Sequence, residues 1–349
     1  MSRDAAIAAF LERAGWGAAA RGPLAGDASR RRYERLTAPG GASAVLMDAA
    51  PDQGEDVRPF LRIARHLSGL GLSPPAILAA DEARGLALIE DLGDDLYARV
   101  VERRPEAETA LYEAAVDMLV ALHAHAPPAD LPAYGPAEMA DRARLAALWY
   151  RPGLAGRAPD NADEDAAATL ARATCAAIDA HAPGHAATML RDYHAENLLW
   201  LPGRQGIARV GLLDFQDAAR GHPAYDLASL VQDARRDVSP ALHDAMIARY
   251  AEATGQKLAE LQAACAVLGA QRALRILGVF ARLSLRDCKP AYAGLIPRNW
   301  ALLQRDLAHP ACAGLAEAVA RTLPAPDAGG LERLRARAGT VADPAPAAP

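Results

Sequence analysis

MLRDYHAENLLWLPGRQGIARVGLLDFQD, from Met189 to Asp217, is the stretch of the sequence in which acidic, amide and strand-forming residues occur together. Two apolar runs, at 198–201 and 210–213, flank a segment that contains proline and glycine. Apolar runs separated by such a segment are typical of a β-hairpin. The sequence therefore predicts two short antiparallel strands joined by a short connection.

Three oxygen-bearing side chains lie at the ends of this predicted hairpin. Asn197 precedes the first strand, Asp214 follows the second, and Asp192 lies just upstream. Because the start of one antiparallel strand lies beside the end of its partner, we expect the three side chains to converge. Carboxylate and amide oxygens suit Mg²⁺, which completes its coordination with water and substrate phosphates. The pattern indicates a site for a nucleotide with Mg²⁺.

The order and spacing of these residues resemble the catalytic and metal-binding segment of protein-kinase-like phosphotransferases. Leu190-Arg191-Asp192 stands where protein kinases have His-Arg-Asp, and Asp214-Phe215-Gln216 stands where they have Asp-Phe-Gly. The sequence PAYDLA at 223–228 is similar to the Tyr-Asp-Leu segment of the aminoglycoside phosphotransferase and choline kinase group. Within that group, the stretches that most resemble bacterial anomeric kinases of N-acetylmuramate and N-acetylglucosamine are GDASRRRY at 26–33, LLDFQDAARGHPAYDLASL at 212–230 and GVFARLSLRDCKPAY at 278–292.

The resemblance implies an α+β, protein-kinase-like fold with two lobes. We expect a small lobe with an antiparallel sheet over residues 1–91, a larger and mostly helical lobe with the catalytic hairpin over 92–338, and a disordered tail over 339–349. The resemblance further implies an ATP- and Mg²⁺-dependent kinase that phosphorylates the anomeric hydroxyl of N-acetylmuramate and N-acetylglucosamine in peptidoglycan recycling.

The resemblance also assigns roles to individual residues. Asp192 would accept the proton of the sugar hydroxyl or orient that hydroxyl, and Asn197 and Asp214 would hold Mg²⁺. Asp226 would be structural and would brace the backbone of the catalytic loop. The expected ATP-binding residues are Gly26, Ser29, Arg30, Arg31, Arg32, Glu90 and Leu92. The candidates for binding the substrate are His194, Asp217, Arg282 and Arg286.

Several of these residues also have plain structural interpretations. Asp217 could contact the sugar or support a neighbouring ligand, and the sequence favours neither. Arg282 and Arg286 are equally typical of the charged outer face of a core helix. Since side chains alternate between the two faces of a strand, we expect one or two of the three arginines at 30–32 to reach phosphate.

Lysine is absent from the first 256 residues. Kinases of this fold usually carry a lysine on the third strand, where it binds phosphate and pairs with a helix glutamate; in this chain Met47 or Asp48 stands near that position. Either an arginine close to Gly26 has taken over the role, or the protein is an inactive kinase relative. The complete set of Asp192, Asn197 and Asp214 favours replacement, although arginine presents a planar fork where lysine presents a point charge.

Composition narrows the remaining functional classes. The chain has 349 residues, of which 52% are hydrophobic, and a formal net charge of -5, so it lacks the basic footprint of a nucleic-acid-binding protein. The four cysteines lack paired metal-ligand spacing. We see no signal peptide and no uninterrupted apolar run of about 18 residues that would span a bilayer. We expect a cytoplasmic monomer whose partners are ATP and a small amino sugar, with no nucleic-acid or membrane partner.

Periodicity predicts the elements around the hairpin. We expect a first helix capped by Ser2, strands within 24–36, 44–48, 77–80 and 86–90, and an amphipathic helix around 60–67. Residues 90–95 would connect the lobes and offer backbone groups to the adenine. Further helices are predicted at 106–125, 137–150, 163–182, 226–235, 240–254, 258–286 and 298–308, with a loop at 151–161.

Two alternatives to the sugar kinase remain open. The acceptor could be an aminoglycoside or another small alcohol, although the arginine-rich segment at 271–292 is a poor match for a cationic substrate. The protein could instead be a nucleotide-binding pseudokinase that regulates a partner. The missing lysine motivates this second alternative, and the complete acid-amide-acid set opposes it.

Overall fold

The structure, a computed structural model, describes residues 2–24, 30–184 and 187–341. The predicted ATP-binding residues Gly26 and Ser29 therefore lie outside the described residues, as does the end of the chain from 342. The chain divides into two compact units. Unit 1 comprises Met1–Leu122 and Leu190–Ala218, and unit 2 comprises His123–Met189 and Ala219–Pro349. The lobe boundary expected near residue 91 stays a prediction.

Strands are concentrated in the first part of the described chain, and helices dominate the remainder. The strands are β1 (Ala20–Leu24), β2 (Arg32–Thr37), β3 (Ser43–Asp48), β4 (Ile77–Asp81), β5 (Leu86–Glu90), β6 (Ala187–Met189), β7 (Leu198–Trp200), β8 (Val210–Leu212) and β9 (Ala219–Gly221). The helices are α1 (Arg3–Arg13), α2 (Arg58–Gly69), α3 (Tyr97–Arg103), α4 (Glu108–His123), α5 (Pro136–Ala143), α6 (Arg151–Ala155), α7 (Asn161–His181), α8 (Ala224–Val231), α9 (Pro240–Thr254), α10 (Leu258–Leu285), α11 (Ile296–Leu307), α12 (Ala313–Thr322) and α13 (Ala328–Ala336).

Unit 1 is built on an antiparallel sheet with the strand order β1-β2-β3-β5-β4. Helix α1 begins as predicted, since the Ser2 side chain accepts a hydrogen bond from the Ala5 N–H at 3.3 Å. One side of α1 packs on the sheet through apolar side chains. This core cluster contains Ile7, Phe10, Leu11, Leu36, Ala44, Leu46, Leu86 and Leu88.

The register of the sheet assigns each side chain of β2 and β3 to a face. Leu36 pairs with Ala44 and Arg32 pairs with Asp48, and paired residues share a face. Because Leu36 and Ala44 pack against α1, Asp48 also points to the α1 side, where Arg3 and Arg32 donate hydrogen bonds to its carboxylate. Met47 therefore points to the opposite face.

The predicted β-hairpin is present. Strands β7 and β8 are antiparallel, with Leu198 opposite Leu212. The Leu213 N–H donates to the Asn197 carbonyl at 2.9 Å, so the pairing brings Asn197 beside the residue that precedes Asp214. Unit 1 holds the hairpin through Ser73, whose carbonyl accepts from the Leu212 N–H at 2.9 Å.

Unit 2 is mostly helical and is organised around α10, which packs against α5, α7, α8, α9, α11 and α13. Among the described residues, α10 is the helix long and apolar enough to cross a bilayer, and 78% of its most apolar window is buried. Such burial is typical of a core helix, so α10 is weak evidence for a membrane span. A small two-stranded sheet of β6 and β9 also belongs to unit 2.

The segment 151–161 is not entirely the loop that its sequence predicts. Its first residues form α6, which packs against α13. The packing is close, because a Cβ built on Gly153 would lie 3.1 Å from the side chain of Leu285 and 3.2 Å from that of Leu334.

Sequence periodicity also missed α3, α12, α13 and the pair β6–β9. The predicted tail begins with three ordered residues, since Gly339 and Val341 donate backbone hydrogen bonds to the end of α10.

Candidate active site

The loop that carries Asp192 has an unusual backbone. Arg191 has a φ of 72°, and the Asp192 N–H donates to the Leu190 carbonyl at 2.9 Å. These features define a γ-turn of the rare type with positive φ, which is strained for a residue with a side chain. Strained conformations of this kind cluster at active sites. The Arg191 side chain also donates to the Asp217 carbonyl at 3.3 Å, which ties the loop to the segment after the hairpin.

Two helices of unit 1 hold the loop in place. The buried Tyr193 donates its hydroxyl to the Ala115 carbonyl on α4 at 2.9 Å. The Ala195 carbonyl accepts from the Ala98 N–H in the first turn of α3 at 3.0 Å. A helix has N–H groups without partners in its first turn, so this contact satisfies one of them and fixes the loop. The half-buried Asp192 is thus carried on a rigid support.

Asn197 is oriented by the same loop. Its side-chain Nδ2 donates to the Asp192 carbonyl at 2.8 Å, so the amide oxygen points away from that carbonyl. The substrate candidate His194 is only 6% exposed, and its Nε2 lies 3.4 Å from the Asn197 Nδ2. The Asn197 amide thus contacts the backbone of Asp192, and His194 borders the amide. The expected convergence of the Asp192, Asn197 and Asp214 side chains stays a prediction.

Asp214 is held by the two residues that follow it. Its φ is 55°, a left-handed conformation that aspartate tolerates better than most residues. The buried Gln216 donates its Nε2 to the Asp214 Oδ1 at 2.7 Å. Phe215 stacks on Phe60 of α2, with ring centroids 5.0 Å apart. Gln216 thus supplies a hydrogen bond at the position where protein kinases have glycine. Asp217, the other acid of this segment, is exposed.

The predicted ligands Asn197 and Asp214, with Asp192 nearby for the acceptor, suit Mg²⁺. These side chains present carboxylate and amide oxygens, which are the hard ligands that Mg²⁺ prefers, and none is a thiolate or an imidazole. A carboxylate has about four lone-pair sites, so Asp214 can bind Gln216 and a cation together. No cluster of three His, Cys, Asp or Glu side chains within residues 2–24, 30–184 and 187–341 is arranged to hold a metal ion. The predicted metal ligands are one amide, Asn197, and one acid, Asp214, a combination that such a cluster does not describe.

The predicted connection to the adenine lines a pocket. The pocket has a volume of about 280 Å³, and it is bounded by residues 90–95 and by Trp200–Arg204 of the hairpin. Glu90 and Leu92, both predicted to bind ATP, are among its lining residues. Glu90 is paired with Arg204, so the connection is held from the hairpin side.

Arg35 of β2 holds the same connection from the sheet. Its guanidinium pairs with Asp91 at 2.8 Å and with Asp94 at 2.9 Å. The hydrogen bonds from Arg35 keep the pKa of Asp94 below its ordinary value, so this carboxylate stays ionised. Arg35 is a cation that no motif in the sequence had marked.

The three arginines at 30–32 take different directions. Arg30 is exposed, and its Nη1 donates to the Gln53 carbonyl at 3.4 Å. Arg31 donates its Nε to Glu55 at 2.9 Å, whereas Arg32 donates to Asp48 on the α1 side of the sheet. Burial lowers the pKa of Arg31, but the interactions with Tyr33 and Glu55 together raise it by a larger amount. The pKa of Arg31 is therefore above its ordinary value.

Comparisons with known proteins agree with this geometry. The chain matches the phosphotransferase enzyme family over residues 21–263. A protein of Caulobacter vibrioides named N-acetylmuramate/N-acetylglucosamine kinase is 42% identical, and the alignment covers 90% of this chain and 94% of that protein. This chain belongs to the phosphotransferase enzyme family.

Solved structures of other phosphotransferases share the fold. A choline/ethanolamine kinase family protein from Mesorhizobium loti superposes with a TM-score of 0.58 at 18% identity, covering 91% of this chain and 99% of that one. The ADP-bound aminoglycoside phosphotransferase APH(2'')-Ib superposes with a TM-score of 0.59 at 13% identity, covering 86% and 99%. The α+β, protein-kinase-like fold is thereby confirmed for this phosphotransferase.

The remaining predicted residues of this phosphotransferase lie in unit 2. Asp226 is fully buried in the first turn of α8, as a structural role requires. Arg286 pairs with the adjacent Asp287 at 2.7 Å, and Arg282 lies one turn earlier on α10. The roles of Arg282 and Arg286 toward the substrate stay predictions.

Some supporting residues of the site were missed in the sequence. Tyr193 and Gln216 are single polar residues inside apolar or catalytic segments, and no periodicity marks them. Arg191 shares its position with the Arg of His-Arg-Asp, which was a usable signal. Arg35 alternates with Tyr33 along β2, so the strand pattern places these two on one face. The acidic partners of Arg35 lie more than 50 residues away in sequence.

Proposed function

We propose that this phosphotransferase transfers the γ-phosphate of ATP to the anomeric hydroxyl of N-acetylmuramate and N-acetylglucosamine, with Mg²⁺. The observation that carries the proposal is the hydrogen bond of the Asn197 amide to the Asp192 carbonyl, at the open end of a hairpin that ends in Asp214. This arrangement suits phosphoryl transfer, which needs positioning and charge neutralisation more than covalent chemistry. The sugar assignment is supported by the 42% identical relative of that name.

Asp192 acts on the acceptor. Its carboxylate receives the proton of the anomeric hydroxyl as the hydroxyl oxygen forms a bond to the γ-phosphorus. The bond between that phosphorus and the bridging oxygen breaks, and ADP leaves with the electron pair. An anomeric hydroxyl is more acidic than other sugar hydroxyls, so a carboxylate of modest basicity is sufficient.

The other residues bind and orient the nucleotide. The amide oxygen of Asn197 and the carboxylate of Asp214 would hold Mg²⁺, which supplies positive charge to the phosphates when it is bound. The backbone of Glu90–Leu92 would receive the adenine, because this connection is fixed on both sides by Arg35 and Arg204. We further propose a cytoplasmic monomer that serves peptidoglycan recycling.

An acceptor panel tests this proposal. The protein is incubated with ATP and Mg²⁺ and with N-acetylmuramate, N-acetylglucosamine, glucosamine or kanamycin, and the phosphorylated product is identified. We expect sugar 1-phosphates from the two N-acetyl sugars. Asp192→Asn should lower kcat by roughly 100- to 10,000-fold, the usual range for a lost general base. Asp237→Asn is the matched control, because the Asp237 side chain is 85% exposed and lies in unit 2.

The other outcomes separate the alternatives. Transfer to kanamycin alone would make the protein an aminoglycoside phosphotransferase. Binding of ATP without transfer to any acceptor would favour the pseudokinase. Full activity of Asp192→Asn would refute the role of Asp192 even if the sugars are phosphorylated.

A further inference from the structure

The third strand offers no cation to the nucleotide. Of the two residues near the usual lysine position, Met47 points away from α1, is 1% exposed and pairs with Tyr33. Asp48 points to α1 and is bound by Arg3 and Arg32. A cation that compensates for the missing lysine must therefore come from another element of this face.

Arg31 is a half-buried arginine that directly precedes β2 and is paired with an acid. Its Nε donates to the Glu55 Oε2 at 2.9 Å, and the two side chains are only 13% and 15% exposed. The other oxygen of Glu55 accepts from the Arg30 N–H at 3.0 Å. One carboxylate thus fixes both the backbone before β2 and the guanidinium of Arg31.

The neighbouring arginines are directed elsewhere. Arg32 shares the α1 face with Asp48, and its side chain is 62% exposed. Arg30 is exposed, and its guanidinium donates to the Gln53 carbonyl at 3.4 Å. Arg31 directly precedes β2, and its side chain is hydrogen-bonded to that of Tyr33. Because side chains alternate along a strand, Tyr33 lies on the same face of β2 as Arg35, which holds the adenine connection through Asp91. Arg31 is thus the member of the three that points to the nucleotide side of the sheet.

This pair and the proposed metal-binding acid Asp214 both neighbour the start of α2. Glu55 lies shortly before α2, and Phe60 in the first turns of α2 stacks on Phe215 at 5.0 Å with an interplanar angle of 21°. Phe215 directly follows Asp214. Glu55 and the ring that follows Asp214 therefore both lie near the first turn of α2.

We propose that Arg31 is the cation that binds the ATP phosphates and that Glu55 is its positioning residue. The inference rests on the proposed function. A guanidinium has five N–H donors in a planar fork, so it can bind a carboxylate and a phosphate at once. Glu55 orders this side chain before the nucleotide arrives, which lowers the entropy lost on binding.

Substitutions of the pair test the proposal. Arg31→Met should lower kcat/KM for MgATP by roughly 10- to 100-fold, as expected when a charged hydrogen bond to phosphate is lost. Arg31→Lys keeps a point charge and should recover part of the loss. Glu55→Gln should raise KM for MgATP more than it lowers kcat. Adding Glu55→Gln to Arg31→Met should change kcat/KM for MgATP little further, because Glu55 acts through Arg31.

Two comparisons separate this role from general damage to the fold. Arg21→Met removes a similar arginine–glutamate pair, Arg21–Glu34, and Arg21 pairs with Leu36 on the α1 face, so it should leave kcat/KM for MgATP within about twofold. Adenosine, which lacks phosphates, should compete with MgATP equally well in wild type and Arg31→Met. The inhibition constant of ADP should rise at least tenfold in Arg31→Met. Loss of both would indicate misfolding and would overturn the phosphate role.

The two proposals can fail separately. If the wild type phosphorylates sugars and Arg31→Met keeps its kcat/KM for MgATP, the role of Arg31 is refuted and the function stands. If the wild type phosphorylates none of the acceptors, the proposed function is refuted, and calorimetry of MgATP binding to wild type and Arg31→Met still decides the role of Arg31. Equal affinities in that titration would refute it.

Discussion

Asp306 illustrates how strongly the pKa of one buried residue depends on its surroundings. It is 4% exposed in unit 2, and its Oδ1 accepts a hydrogen bond from the Gln232 Nε2 at 2.9 Å. Burial raises the pKa of Asp306 to about 8, while Arg305, Gln232 and Arg272 pull it in the opposite direction. The folded protein therefore keeps this carboxyl protonated at a pH where the unfolded chain has released the proton.

This difference predicts a pH dependence of stability. Between the ordinary aspartate pKa near 4 and the folded pKa, the folded state binds one proton more than the unfolded state, so the stability that Asp306 contributes falls as the pH rises. Asp306→Asn cannot ionise. We expect its free energy of unfolding, relative to that of wild type, to increase from pH 5 to pH 8.5 in urea titrations. Parallel pH profiles of the two proteins would contradict the buried, protonated state.

Helix α10 shows how the packing of an element constrains its sequence. A Cβ on Gly278 would lie 2.3 Å from the carbonyl carbon and 2.5 Å from the carbonyl oxygen of Leu145. Both atoms are backbone and cannot rotate away. We expect Gly278→Ala to lower the free energy of unfolding by about 1–3 kcal/mol through overpacking, although alanine is the better helix former.

Gly294 is the matched control for this prediction. Nothing lies within 4 Å of a Cβ at this position, and its φ is not positive, so Gly294→Ala should stay within about 0.5 kcal/mol of wild type. Urea or thermal unfolding of the two variants measures the difference. A Gly278→Ala protein as stable as Gly294→Ala would mean that Leu145 moves aside at little cost.

The sequence did not predict elements that lack a clear local pattern of apolar, capping or turn residues. Helix α6 contains proline and glycine and is only five residues long, so its pattern is typical of a loop. It forms because Pro152, Gly153 and Leu154 are buried under α13. The buried Asp163 adds a second anchor, since Arg157 just after α6 binds it through two hydrogen bonds of 2.6 and 2.8 Å.

At the level of the whole molecule, nucleotide binding should raise the free energy of unfolding. A ligand that binds only the folded protein stabilises it by about 2.7 kcal/mol at a concentration of 100 times Kd. We expect ATP with Mg²⁺ to raise Tm by several degrees, and ATP with a chelator to raise it less, because in the proposed site Asn197 and Asp214 bind the nucleotide only through the metal. Differential scanning fluorimetry measures both shifts.

Asp214→Asn provides the control for this ligand effect. The substitution keeps the shape of the side chain and an oxygen that can accept from Gln216, but it removes the charge. We expect the metal-dependent part of the Tm shift to disappear and the metal-independent part to remain. An undiminished metal-dependent shift in Asp214→Asn would place Mg²⁺ on other residues.

The sequence alone was sufficient to predict the hairpin of β7 and β8, the cap of α1 at Ser2 and the proximity of Asn197 to Asp192. Each of these depends on apolar alternation, turn residues or capping within a few positions, and such signals act locally. The spacing around the hairpin also carried the resemblance that led to the fold and the family.

Tertiary structure decided which residues support that site. Arg31 and Arg32 are neighbours of the same type, yet Arg31 binds Glu55, whereas the pairing of β2 with β3 sets Arg32 opposite Asp48. Asp214 owes its orientation to Gln216 and to the Phe60–Phe215 stack, whose partner rings are 155 residues apart in sequence. Contacts at such separations depend on how the elements pack, and no local pattern of residues records them.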